Sequence, residues 1–208
     1  MLTELDNKNI NVKKVANQAL EDKVVLSELL EGVLSKKEKV RFNCFKVLLF
    51  ISEERAEVLY PEWDFFVRLL QVDNTYLKYI AIYMMANLAL DDPKGKFEKA
   101  FNKYYALLDD ESVIPASHVA ANSGKIARAK PGLVTRITNR LVNVDKTRHK
   151  PERKDLIKGY IVEAFGEYFE AAKNKKRMLE FVRAQLDSRS PRTKRKAKEF
   201  LRRWEGRT

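Results

Sequence analysis

LKYIAIYMMANLA, residues 77–89, is apolar or small at nearly every position and carries a single charge, Lys78. A helix that is apolar all round must be covered all round, so this segment belongs between neighbours inside a protein. The apolar run from Ile80 to Leu90 is too short to cross a bilayer, which needs about 20 residues. Two further segments line up with it at a spacing of 37 residues: VRFNCFKVLLFI from Val40 and IPASHVAANSGKIA from Ile114. LIKGYIVEAFGEYF from Leu156 and TKRKAKEFLRRW from Thr193 are again 37 apart, and only the step from Ile114 to Leu156 is longer, by about one helical turn. A period in the thirties is the signature of a repeat array.

Shorter amphipathic stretches alternate with these segments. Leu26, Leu29, Leu30 and Val33 form an apolar stripe, and Trp63, Phe66, Val67 and Leu70 form another behind the helix-starting Pro61. Phe97, Phe101, Tyr104 and Leu108 follow, then Leu133, Ile137 and Leu141, then Leu179, Val182 and Leu186. The pattern is first helix, turn, second helix, five times, with a helix near Ile10 to Leu20 closing the N-terminal end. In the last segment Ala197, Phe200, Leu201 and Trp204 make one apolar stripe, which leaves Arg192, Arg195, Lys198, Arg202 and Arg203 on its flanks and outer face. Asp73 and Asp110 sit four residues ahead of Leu77 and Ile114, where each is expected to cap the incoming helix.

Composition agrees with an all-α chain. Of 208 residues, 45% are hydrophobic and 34% charged, with only 7 Gly and 6 Pro to make turns. One cysteine, Cys44, allows no internal disulfide, and it reads as a small buried hydrophobe in a reducing compartment. Met1 to Asn11 carries acids and amides where a secretory leader needs a basic segment and a long apolar run, so a cytoplasmic protein is expected.

The period, the paired helices, the acids Asp73 and Asp110 in the intra-repeat turns, and the bases Arg41, Lys78 and Lys158 near the start of second helices resemble HEAT-repeat proteins of the armadillo-like class. The resemblance spans roughly residues 22–204. It implies an all-α, right-handed α-α superhelix of about five HEAT-like helix pairs, in one domain over residues 1–208. The units would run roughly 22–54, 61–90, 96–129, 131–171 and 175–204, with an N-terminal cap at 8–21. The chain departs from the pattern at Pro115, where a base is expected, at Lys36, where an acid is expected, and in the basic turn Val144 to Pro151. A ladder of Asp–base contacts between units is therefore expected to be partial. Fold of this kind serves many functions and specifies none.

Charge supplies the clearest functional hint. Residues 1–145 hold 21 Lys and Arg against 20 Asp and Glu, whereas residues 146–208 hold 20 against 9. Arg192, Arg195, Lys198, Arg202 and Arg203, with Arg148, Lys150 and Arg153 from the preceding turn, are the candidate anion or nucleic-acid patch. The competing reading is a solvated end cap beside a mobile surface loop. His118 reads as a structural histidine, because no nucleophile or carboxylate at motif spacing accompanies it. Asp91, Asp92, Asp109 and Asp110 read as turn and cap residues, and Tyr60, Trp63, Phe97, Phe101, Tyr104 and Tyr105 as core. No catalytic residue, metal site or cofactor is expected. The leading expectation is a non-enzymatic scaffold that grips a protein or peptide in a groove lined by second helices; a nucleic-acid-binding module is the alternative. Membrane docking ranks third, because the stripe of the last helix is short and already used for packing. The sequence sets no oligomeric state.

Overall fold

In a computed structural model of the chain, which describes residues 5–7 and 10–206, every regular element among the described residues is helical. The chain divides into two compact units, Met1–Asp92 and Pro93–Thr208. In the first, α1 (Val12–Glu21) packs on α2 (Lys23–Gly32) and α3 (Glu38–Glu54). A short α4 (Ala56–Leu59) and a 3-10 turn at Tyr60–Glu62 lead into α5 (Trp63–Leu69), which lies against α6 (Thr75–Leu88). The second helices α3 and α6 pack together. The second unit repeats the plan with α7 (Lys96–Ala106) and α8 (Val113–Ala129), α9 (Val134–Val142) and α10 (Pro151–Tyr168), and α11 (Lys175–Arg183) and α12 (Pro191–Trp204). There α10 packs between α8 and α12, and α9 touches α11.

The core is the set of apolar positions that the periodicity marks. Val40, Cys44, Val47, Leu48 and Ile51 are buried in α3, and Ile80, Ala81, Met84, Met85 and Leu88 in α6. Phe97, Phe101, Tyr104, Ile137, Ile161, Phe165 and Phe169 do the same in the second unit. Each such side chain contributes about 1.5–3 kcal/mol on leaving water. The aromatics pack edge to face, as in Phe97–Tyr104 at 5.3 Å and Phe169–Phe200 at 5.1 Å between ring centres. Several buried polar groups bond across elements: Asn43 donates to the carbonyls of Leu5 and Asn7, Asn87 to Ser52 at 2.7 Å, and Tyr105 to Ser123 at 3.1 Å.

Several expectations are corrected. Asp73 and Asp110 are not the caps. Asn74 accepts from the N–H groups of Tyr76 and Leu77, and Ser112 accepts from Ile114, because a cap must stand immediately ahead of the first helical residue. Asp110 instead accepts from the N–H of Ser112. α3, whose turn carries Lys36, has no side-chain cap at all. Val67 is half-buried and Leu69 takes its place in the core. Leu186 is 37% exposed: the helix tightens to a 3-10 turn over Ala184–Asp187, which breaks the 3.6 period and buries Gln185 instead.

Turns in the second unit are tied edge to edge. Asp109 accepts from the N–H of Arg148 at 2.6 Å, and His149, buried, bonds the carbonyl of Leu108 through Nε2 at 3.1 Å. One repeat later Asp155 accepts from the N–H of Arg189 at 3.1 Å, and Thr193 donates to the Asp155 carbonyl at 2.6 Å. Within its own repeat, Lys158 pairs with Asp145 at 2.7 Å. The ladder between these repeats thus runs from carboxylate to backbone N–H. The turn from Val144 to Pro151 is pinned rather than a free loop.

Candidate interaction surface

Burial fixes the register of the second helices more tightly than residue type does. The buried set Cys44, Val47, Leu48 and Ile51 of α3 falls on Ala81, Met84, Met85 and Leu88 of α6 at a step of 37. It continues to Ala116, Val119, Ala120 and Ser123 of α8 at a step of 35. Pro115, Val119, Ala120 and Ser123 of α8 map to Ile157, Ile161, Val162 and Phe165 of α10 at 42, and Ile157, Ile161, Phe165 and Tyr168 map to Thr193, Ala197, Leu201 and Trp204 of α12 at 36. Two of the four steps therefore differ from the 37 that letter matching suggests.

On this register two positions of the second helices are left outside the core in each unit. The first is Phe42, Tyr79, Ile114, Leu156 and Arg192, one per second helix. Phe42, Ile114 and Leu156 are 44%, 47% and 40% exposed, and Tyr79 is half-buried. The second row is Lys46, Tyr83, His118, Tyr160 and Lys196, all half-buried. The expectation that residues 77–89 are covered on every side is thereby corrected: α6 leaves Tyr79 and Tyr83 half-buried, and α3 and α8 leave Phe42 and Ile114 exposed.

In the first unit the stripe is built on rings. Phe45 lies beneath Tyr79 and Tyr83 at 5.2 and 6.2 Å, and Tyr79 contacts Tyr83 at 4.8 Å. The Lys46 ammonium sits 4.4 Å from the Phe42 ring centre, and the Arg41 guanidinium 4.7 Å from that of Tyr76. In the second unit Arg192 covers Tyr160 at 4.6 Å, donates to its hydroxyl at 3.3 Å, and meets Glu163 at 3.4 Å. Lys196 reaches the same Glu163 at 3.2 Å, and Arg128 reaches Glu167 at 3.1 Å. Glu167 rests over Gly124, where a methyl would meet its carboxylate carbon at 2.5 Å. Burial holds the Glu167 carboxyl above the usual carboxylate range, against the pull of Arg128 and Lys125. Two adjoining hollows of about 310 and 330 Å³ share Gly166, Glu167, Arg203 and Trp204, and form a furrow across α10 towards the C-terminal ends of α8 and α12.

The sequence-nominated cations separate into groups. Arg148 is held by Asp109 and Glu111 at 3.6 and 3.8 Å. Lys150 and Arg153 are exposed and make no ion pair among the described residues. Arg153 stands one turn before Leu156, on the same side of α10. Arg192 lies over Tyr160 and Glu163, whereas Arg203 lines the furrow and stacks on Trp204 at 4.6 Å. Arg195, Lys198 and Arg202 lie on the far side of α12; only Arg195 has an acid, Glu199 at 3.8 Å, among the described residues. Their register positions in α10 are Gly159, Val162 and Gly166, the side that α10 turns towards α12.

The apolar row escaped the sequence reading because Ile114 and Leu156 look like core anchors; only burial distinguishes them. Cys44 is buried, and desolvation pushes its thiol up to about 12, far from a nucleophile's range. Burial holds His118 below its ordinary value. Among the described residues no group of three or more His, Cys, Asp or Glu is placed to hold a metal ion, and no helix is long and apolar enough to cross a membrane.

No family model matches the chain, and no curated protein sequence matches it. Solved structures do resemble it. An engineered protein superposes over 98% of this chain and 87% of its own with a TM-score of 0.55 at 15% identity. A designed armadillo repeat protein, in complex with the peptide (KR)4, superposes over 97% of this chain and 96% of its own with a TM-score of 0.52 at 16% identity. Helix pairs, burial register and these likenesses agree, and the fold is an armadillo- and HEAT-like α-solenoid.

Proposed function

We propose that the chain is a non-enzymatic interaction scaffold that binds a protein or peptide segment through its second helices. One observation carries this reading: the register position of Phe42, Tyr79, Ile114 and Leu156 holds an exposed or half-exposed apolar or aromatic side chain in four second helices. A single exposed leucine needs no explanation. Recurrence at one position does, because Phe42, Ile114 and Leu156 are the large apolar side chains that the described second helices leave exposed. Solenoids use repeated surfaces of this kind for binding, and the designed armadillo neighbour holds a peptide.

The test is a selection of binders from a displayed random-peptide library against the whole chain. Selected peptides are expected to lose binding to Ile114→Asp/Leu156→Asp or to Phe42→Asp/Tyr79→Asp, while thermal melts by circular dichroism confirm that each variant still folds. A library that yields no binder, or binders indifferent to both pairs, overturns the reading.

A further inference from the structure

Resting on that scaffold reading, we infer that the second unit receives an extended acidic segment whose apolar side chains lie to one side of its carboxylates. The row on this unit is Ile114 on α8, Leu156 on α10 and Arg192 on α12, so its character changes from apolar to cationic along the row. Neighbouring packed helices lie about 8–10 Å apart, and an extended chain advances about 3.3 Å per residue, so a segment crossing them meets one helix roughly every three residues. The matching ligand carries, in one chain direction or the other, an apolar residue, a second one three positions on, and an acid three positions beyond that.

Charge around the row points the same way. Acids bordering it are already engaged: Asp109 and Glu111 with Arg148, Glu152 with Arg189 at 2.9 Å, and Glu163 with Arg192 and Lys196. Lys150 and Arg153 have no such partner among the described residues, and Arg153 adjoins Leu156 on the α10 surface. Arg192 shares one carboxylate with Lys196 at distances of 3.2–3.5 Å, which leaves it donors for another. A basic segment would meet unpaired cations here, and a wholly apolar one would leave them unused.

The experiment is fluorescence anisotropy with labelled synthetic peptides of Gly and Ser. They carry two leucines three residues apart, followed after three more by a pair of aspartates, asparagines or lysines, and are made in both chain directions. The aspartate peptide is expected to bind at least tenfold more tightly than the lysine peptide. Leu156→Asp should abolish binding, and Arg153→Glu should erase or invert the charge preference. Equal binding of all three charge forms, with loss on Leu156→Asp, overturns the acidic partner and leaves the scaffold reading intact. No binding of any form overturns the inference, while the library selection decides the scaffold reading separately. A single-stranded oligonucleotide that binds and is lost on Arg153→Glu but not on Leu156→Asp would assign the surface to a polyanion instead.

Discussion

Gly32 is the last residue of α2, and a Cβ there would collide with the Sγ of Cys44 on α3. On an open helix, Gly to Ala gains about 0.5–1 kcal/mol from backbone entropy. Here the sign reverses, because α2 and α3 approach at this point and Cys44 has no free space to retreat into, being fully buried. Gly32→Ala is expected to destabilise the protein by about 1–3 kcal/mol, as overpacking does. Cys44→Ala in the same chain removes the colliding sulfur, so the double variant should be more stable than the sum of the two single losses. Urea unfolding of the four proteins measures this coupling, and strict additivity would show that the two residues do not meet. Neither letter announces the contact in the sequence. A glycine at a helix end and a cysteine in an apolar run are ordinary, and only the closeness of two helices makes them a pair.

At the level of single helices, the sequence shows which segments are helical and roughly where each begins, but not which side chain closes the end. The four-residue offset drew Asp73 into that role for α6, yet the N–H groups that need an acceptor belong to Tyr76 and Leu77, within reach of Asn74 at 3.0 and 3.1 Å. Asn74→Ala should therefore cost about 1 kcal/mol, whereas Asp73→Ala should be nearly silent. Thermal melts of the two variants check the assignment, and a larger loss for Asp73→Ala would return the cap to the acid. Leu186 shows the same limit from the packing side. Its spacing from Val182 is helical, but the backbone has already tightened when the chain reaches it. A stripe read from letters assumes a constant turn angle, and helix ends are where that assumption fails.

Across the molecule the repeat plan was legible and the binding surface was not, for one reason. Pairs of helices announce themselves through apolar periodicity, which tolerates steps of 37, 35, 42 and 36 between second helices. A row of exposed side chains does not tolerate them: a shift of one residue turns a helix position by about 100° and exchanges core for surface. Ile114 and Leu156, which open two of the aligned segments, thus lie outside the core although their letters do not say so. The same register explains much of the C-terminal charge. α10 presents Gly159, Val162 and Gly166 to α12, small enough for a helix to lie against, while α12 carries Arg195, Lys198 and Arg202 at those positions. Packing another helix against Arg195, Lys198 and Arg202 would take long cations out of water, so we expect this side of α12 to stay in solvent. Replacing them by the residues of α10, as Arg195→Gly/Lys198→Val/Arg202→Gly, should keep the fold but expose a face built for stacking. The variant is expected to self-associate with rising concentration in analytical ultracentrifugation while the parent chain does not change its state over the same range. The control Arg195→Gln/Lys198→Gln/Arg202→Gln removes charge without creating a stacking face and should behave like the parent. If the glutamine variant associates equally, repulsion between like charges rather than shape keeps the chains apart. If neither does, these cations do not govern self-association.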